Sequence, residues 1–178
     1  MFSIIDVETT GHQNVQSRIT EIAIIRHDGR RVVEVFESLV NPECYIPSFI
    51  SSLTGITNEM VRHAPTFAQI ANEVRRLTKD TVFVAHNVSF DFWFVKHEFT
   101  RLDEYFERDK LCTVKLSRKI LPGYKSYSLG KICNDLGIRH TNHHRAMGDA
   151  AATVKLFEML IQNDTKGLLR NHLEIVEQ

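Results

Sequence analysis

Asp6 and Glu8 stand two residues apart at the end of a short apolar run, Phe2-Ser3-Ile4-Ile5. On a strand, residues i and i+2 project from the same face. Two carboxylates held side by side repel each other unless a cation neutralises them or one takes a proton. Taken alone they could be loop acids facing water, but the run upstream carries this strand toward the core. A third acid, Asp91, closes His86-Asn87-Val88-Ser89-Phe90-Asp91. That segment follows the β-branched run Thr81–Ala85 and opens a helix, where Ser89 or Asp91 could also serve simply as a cap. A fourth acid, Asp149, follows His143-His144-Arg145-Ala146-Met147-Gly148 and precedes Ala150-Ala151-Ala152. Small side chains let that helix lie close to another element and bring a short aspartate within reach of a sheet. Five helical residues turn about 500°, so His144 belongs in the loop before the helix if it is to act beside Asp149.

Taken together, four carboxylates and one histidine suit a two-metal hydrolase. Hard carboxylate oxygens select Mg²⁺ or Mn²⁺ over zinc. Two such ions about 3.5–4 Å apart can stabilise the attacking and leaving oxygens of a phosphodiester displacement. A histidine that titrates near neutrality can take the proton of the attacking water.

The elements that must position these groups can be read from hydrophobic period. Phe2–Glu8, Ile19–His27 and Arg31–Val40 read as three successive strands, the last two joined by the hairpin signal Asp28-Gly29. Pro65 and Thr66 open a helix over Phe67–Leu77. Thr81–Ala85 is a buried strand, Asp91–Leu102 an aromatic-rich helix, and Lys110–Val114 a further strand. Helices over Leu116–Leu121, Leu129–Leu136 (stopped by Gly137) and Arg145–Gln162 complete the chain. The order implies one α/β domain, a mixed sheet with helices on its faces. Residues 1–164 form the domain and 165–178 a short extension. If the first strand and Thr81–Ala85 are parallel neighbours, both acid groups reach the carboxyl edge where such sheets collect ligands.

Asp6-Val7-Glu8-Thr9-Thr10-Gly11, His86-Asn87-x-x-Phe90-Asp91 and His144-x-x-x-x-Asp149 resemble the three motifs of the DEDDh (DnaQ-like) 3′–5′ exonucleases, among them the proofreading epsilon subunit of bacterial DNA polymerase III. The resemblance runs from about residue 2 to residue 160 and includes Leu53-Thr54-Gly55-Ile56-Thr57. It implies a ribonuclease H-like fold with a five-stranded mixed sheet. It also implies that Asp6, Glu8 and Asp149 hold a first metal, and that Asp6, with Asp91, holds a second. His144 would be the general base. Thr9, Thr10 and Gly11 would meet the terminal nucleotide, Leu53 with Thr54 would lie against its base, and Phe90 near its sugar. His86 and Asn87 would support the site.

The chain has 178 residues, 43% hydrophobic and 25% charged, a composition that excludes a disordered chain. Its 22 basic and 22 acidic residues leave no global field to hold a partner, but residues 110 to 145 carry eight Lys and Arg against Asp135 alone. A stretch of that kind draws in a phosphate backbone locally, or else is a solvated lysine face. No apolar run approaches the roughly 18 residues of a membrane span, and Asp6 and Glu8 interrupt the N-terminal apolar stretch before a signal-peptide core could form. A cytoplasmic protein is expected, with Cys44, Cys112 and Cys133 as reduced thiols. The expected function is release of nucleoside 5′-monophosphates from the 3′ end of single-stranded or frayed DNA. An exoribonuclease of the same family is the near alternative. A haloacid-type phosphatase is the distant one, although its second Asp would replace Glu8 and its chemistry would leave His144 idle. A DNA polymerase subunit is one partner the resemblance implies; a stand-alone repair or scavenging role is the other option.

Overall fold

In the computed structural model, which describes residues 1–141 and 143–169, the five strands are β1 (Phe2–Thr9), β2 (Ile19–His27), β3 (Val32–Leu39), β4 (Val82–Ala85) and β5 (Lys110–Cys112). They form one sheet in the order β3-β2-β1-β4-β5. β1 and β3 each pair antiparallel with β2, whereas β4 runs parallel to both β1 and β5. The turn between β2 and β3 closes because the Asp28 carboxylate accepts the amides of Arg30 and Arg31, both at 2.7 Å, with Gly29 at a φ of 95°. Among the described residues there are seven helices, α1 (Ser48–Thr54), α2 (Asn58–Val61), α3 (Phe67–Thr78), α4 (Val88–Arg101), α5 (Thr113–Ile120), α6 (Leu129–Asp135) and α7 (Ala146–Asn163).

Strand alternation sorts the core into two layers. Ile5 and Val7 of β1 pack with α3 and α4 on one face, while Phe2 and Ile4 pack with α5, α6 and α7 on the other. Asp6 and Glu8 continue the second series, so the period of two turns both toward α7. There Ala146 and Ala150 are fully buried, small side chains at the end of the helix that meets the acids.

The structure departs from expectation at three places along the chain. Residues 48–61 form α1 and α2, where no element is expected; α1 ends at Gly55, whose φ of 73° suits a residue without a Cβ. α4 starts at Val88 rather than Asp91, because Asn87 takes a left-handed conformation (φ 77°) and turns the chain directly from β4 into the helix. β5 stops at Cys112 rather than Val114. The buried Thr113 donates its hydroxyl to the Ala85 carbonyl (3.3 Å), its Oγ1 lies 2.9 Å from His86 Nδ1, and the chain enters α5 there. After α7 the Asp164 carboxylate accepts the amides of Leu168 and Leu169, and Leu169 is buried against the second layer. Residues 170–178 of the expected extension lie outside the described residues. Among those described, no helix is long and apolar enough to cross a membrane.

Candidate active site

β1 outruns its parallel partner, and that mismatch creates the site. β4 ends at Ala85 after pairing with β1 as far as Ile4. The amide of Val7 therefore lies beyond the ladder and needs another acceptor. Asp91 Oδ1 supplies it at 3.1 Å, from the first turn of α4. Asp91 thus reaches beyond the first turn of its own helix. It is a buried carboxylate drawn across to the strand that carries Asp6 and Glu8.

From the opposite face, α7 delivers Asp149. Carboxylate oxygens of Asp6, Glu8 and Asp149 all lie within 4.8 Å of one another, a group able to hold a cation. Crowding and burial set its electrostatics. Burial pushes the Asp6 carboxyl well above its ordinary range, and the charges of Asp91, Asp149, Glu8 and Glu21 push it further. Burial, then Asp149, Glu21 and Asp91, raise Glu8 to about 8 against the opposing pull of Arg145. Asp91 also reaches about 8, chiefly through burial; its own amide and that of Val7 hold it down, and Asp149 adds to the rise. Acids that resist ionisation side by side, with oxygens this close, are the donor set a hard divalent cation requires.

Two residues that sequence reasoning missed hold Asp149 in place. Glu21, opposite Glu8 in the antiparallel register, is 1% exposed. Like charges facing each other across a ladder are destabilising, and here Arg145 answers one of them. Its Nε donates to both Glu21 oxygens at 3.1 Å and its Nη2 to Oε1 at 2.5 Å. The Ala146 amide donates to Glu21 Oε2 at 2.8 Å, so β2 supplies the acceptor for the start of α7. The second residue is His140, whose Nε2 lies 2.5 Å from Asp149 Oδ1 and whose ring sits 3.7 Å, centroid to centroid, from that of His143. His140, His143 and Asp149 form the other close ligand group among the described residues. A lone acid within the apolar run Ile19-Thr20-Glu21-Ile22 was the available signal for Glu21. His140 carried none beyond its place in a histidine-rich loop.

The remaining expected residues are distributed as follows. His144 is exposed in the turn before α7 at a φ of 59°, and belongs to neither close ligand group. His86 spans from Thr113 to the Tyr127 carbonyl (2.8 Å to Nε2), and burial lowers its pKa. Thr9 Oγ1 donates to the Gly11 carbonyl at 2.7 Å, and Thr10 Oγ1 accepts the Arg18 amide at 3.0 Å. Both hydroxyls thus shape the turn after β1. Thr54 is buried, its hydroxyl bonded to Ile50 O and Ile56 N. Leu53, on the same helix, is 54% exposed. Phe90 packs against the first core layer, its ring 4.9 Å from that of Phe94.

A family model described as Exonuclease matches residues 3–157. This chain belongs to the exonuclease family. It is 36% identical over 162 residues to DNA polymerase III subunit epsilon of Aquifex aeolicus, a match covering 90% of this chain and 80% of that protein. To a PolC-type DNA polymerase III of Oceanobacillus iheyensis it is 37% identical over 175 residues, covering 98% of this chain but 12% of the relative. The chain therefore corresponds to a small part of the polymerase. Among solved structures, one of Exonuclease X in complex with 5′ overhanging duplex DNA superposes with a TM-score of 0.77 at 27% identity, covering 99% of both chains. The nuclease domain of 3′hExo, a DEDDh family member bound to rAMP, shares the fold with a TM-score of 0.79 at 19% identity, covering 92% of both. The resemblance read from the three motifs and the five-stranded mixed sheet are both borne out.

Two outcomes follow for this member of the exonuclease family. Glu21→Ala leaves the Arg145 guanidinium and the Ala146 amide without their acceptor. It should destabilise the protein by about 2–3 kcal/mol in urea melts, less than for a fully buried pair because Arg145 is 37% exposed. With no cation bound, acids whose folded pKa exceeds the unfolded value contribute stability that is present at low pH and lost as pH rises. The melting temperature in chelator should therefore fall as pH climbs from about 4 through 8, and Mg²⁺ or Mn²⁺ should restore it most at the alkaline end. A pH-independent metal effect would count against the carboxylates as the ligands.

Proposed function

We propose that this chain is a 3′–5′ exonuclease, acting in the cytoplasm on the 3′ end of single-stranded or frayed DNA and releasing nucleoside 5′-monophosphates. The observation that carries the reading is the convergence of Asp6, Glu8 and Asp149 within 4.8 Å, with Asp91 tied to the same strand. Membership of the exonuclease family favours it over a haloacid-type phosphatase. Asp6, Glu8 and Asp149 would hold one divalent cation, and Asp6 with Asp91 a second, Mg²⁺ or Mn²⁺ by the hardness of the donors. When bound, such cations supply charge stabilisation for the phosphodiester as it is displaced.

In the proposed reaction a water oxygen forms a bond to the terminal phosphorus while the bond from phosphorus to the 3′ oxygen of the preceding nucleotide breaks. A histidine takes the water proton, the departing 3′ oxygen takes a proton from solvent water, and the shortened strand leaves with a 3′ hydroxyl. His144 is assigned that proton by its place five residues before Asp149 in the third motif. One contact favours a second reading, in which His140, already 2.5 Å from Asp149, handles the proton or fixes the carboxylate. Thr9, Thr10 and Gly11 would receive the terminal nucleotide, with the exposed Leu53 against its base and Phe90 near its sugar. RNA is the alternative substrate, distinguished by treatment of the terminal 2′-OH. A DNA polymerase partner is proposed from the relative named subunit epsilon, and copurification would test it.

The test is digestion of 3′-labelled DNA and RNA oligonucleotides of equal sequence with Mg²⁺ or Mn²⁺. Label should be released from the 3′ end; none released, or loss from the 5′ end, refutes the proposal. Asp6→Ala should lower turnover by about 10³-fold or more while leaving stability unchanged or improved, because one repelling charge is gone. His144→Ala should lower kcat by about 10²–10⁴-fold. If His140→Ala gives the larger loss, the proton belongs to His140.

A further inference from the structure

Beside the acids, on the β4–β5 side of the sheet, lies a cavity of about 720 Å³, a size that suits a ligand as large as a nucleotide. Its near wall is His86, directly after β4 and within the field of Asp149. Its far wall is formed by α5 and the loop that follows. Lys115, Arg118 and Lys125 line it, all exposed, and no acid does. Among the described residues these three cations have no carboxylate partner. Lys96 and Lys110 pair with Glu107, and Arg145 with Glu21. Two aromatic rings complete the wall, Tyr124 and Tyr127, 6.1 Å apart and nearly perpendicular, with the Arg118 guanidinium 5.7 Å from the Tyr127 ring. The loop is anchored at the edge of the site, because His86 Nε2 bonds the Tyr127 carbonyl and Tyr127 Oη donates to the Leu121 carbonyl, both at 2.8 Å.

Topology gives the cavity a direction. The turn after β1 is bonded back to Arg18, and α1 packs by way of Leu39 of β3, so Thr9–Gly11 and Leu53 lie on the β2–β3 side. The acids of β1 therefore stand between two surfaces, one carrying Thr9–Gly11 and the exposed Leu53 and one basic with aromatic rings. A phosphate-rich strand needs unneutralised cations along its backbone and flat faces for its bases, and tolerates any sequence on such a wall. We propose that the Lys115–Arg118–Lys125 groove holds the backbone of a single nucleic-acid strand just upstream of the bond cleaved, with Tyr124 and Tyr127 against its bases. This assignment rests on the exonuclease reading and adds to it the surface that distinguishes a polymer from a mononucleotide ester.

The test compares the whole chain with its Lys115→Ala/Arg118→Ala/Lys125→Ala variant on two substrates. One is an oligothymidylate of about twelve residues, within the span typical of single-strand sites; the other is thymidine 5′-monophosphate p-nitrophenyl ester, which presents one nucleotide and no strand. The variant should lose about tenfold or more in kcat/KM on the oligonucleotide, and the slope of log(kcat/KM) against log[salt] should become shallower by about 2, at roughly 0.7 per phosphate contact. Its ester hydrolysis should be unchanged. Fluorescence anisotropy of the labelled oligonucleotide in chelator should show a similar weakening of binding. Equal oligonucleotide kinetics, salt slope and anisotropy in the two proteins overturn the groove. Failure of the unmodified chain to hydrolyse either substrate overturns the exonuclease reading instead and leaves the anisotropy comparison to decide the groove. Should the triple variant melt early, Lys125→Glu in the exposed loop replaces it. An anisotropy loss of about threefold then upholds the proposal, and no loss rejects it.

Discussion

Mutual repulsion among carboxylates at the end of β1 is the constraint that the surrounding structure answers. Burial, and then the charges of neighbouring carboxylates, drive Asp6, Glu8 and Asp91 toward their protonated forms. A fold selected for stability alone would not gather them. Each neighbour that touches the group offsets part of the charge: the Val7 amide on Asp91, His140 on Asp149, Arg145 and the Ala146 amide on Glu21. The charge left over, on Asp6 and Glu8, is what a divalent cation would neutralise.

The three suppliers of the site are tied to one another through the sheet. β1 carries two acids on the face that α7 covers, and α4 contributes a third from the other face by reaching past the end of β4. Arg145 and Glu21 fix where α7 begins, and Asp149, one turn further along, is fixed with it. The buried alanines keep the helix close enough for a two-carbon side chain to reach Asp6. A bulkier residue at 146 or 150 would displace the carboxylate as surely as its deletion.

Family membership and fold rest on agreement between different kinds of observation. The motifs, the family match over residues 3–157 and the superposition on Exonuclease X all point to the same family and the same fold. The charge pattern is an observation independent of those comparisons. The basic stretch between residues 110 and 145 is distributed over α5, α6 and the loops around them, and only three of its cations line the cavity next to His86.

By itself the sequence determined the strands β1 to β4, the long helices α3 and α7, and the rank of Asp6, Glu8, Asp91 and Asp149 above the other acids. Local periodicity and short spacing carry that information, and both survive in one dimension. Where α1 and α2 form, why α4 begins three residues early, and how β5 is cut short at Cys112 depended on a left-handed Asn87, a positive-φ Gly55 and a Thr113 hydroxyl that bonds across the sheet. The tertiary structure alone decided that Glu21 anchors α7 and that His140, rather than His144, touches Asp149. The Glu21–Ala146 contact joins residues 125 apart in the chain, and no local pattern encodes which buried acceptor a helix start will meet once two layers have packed.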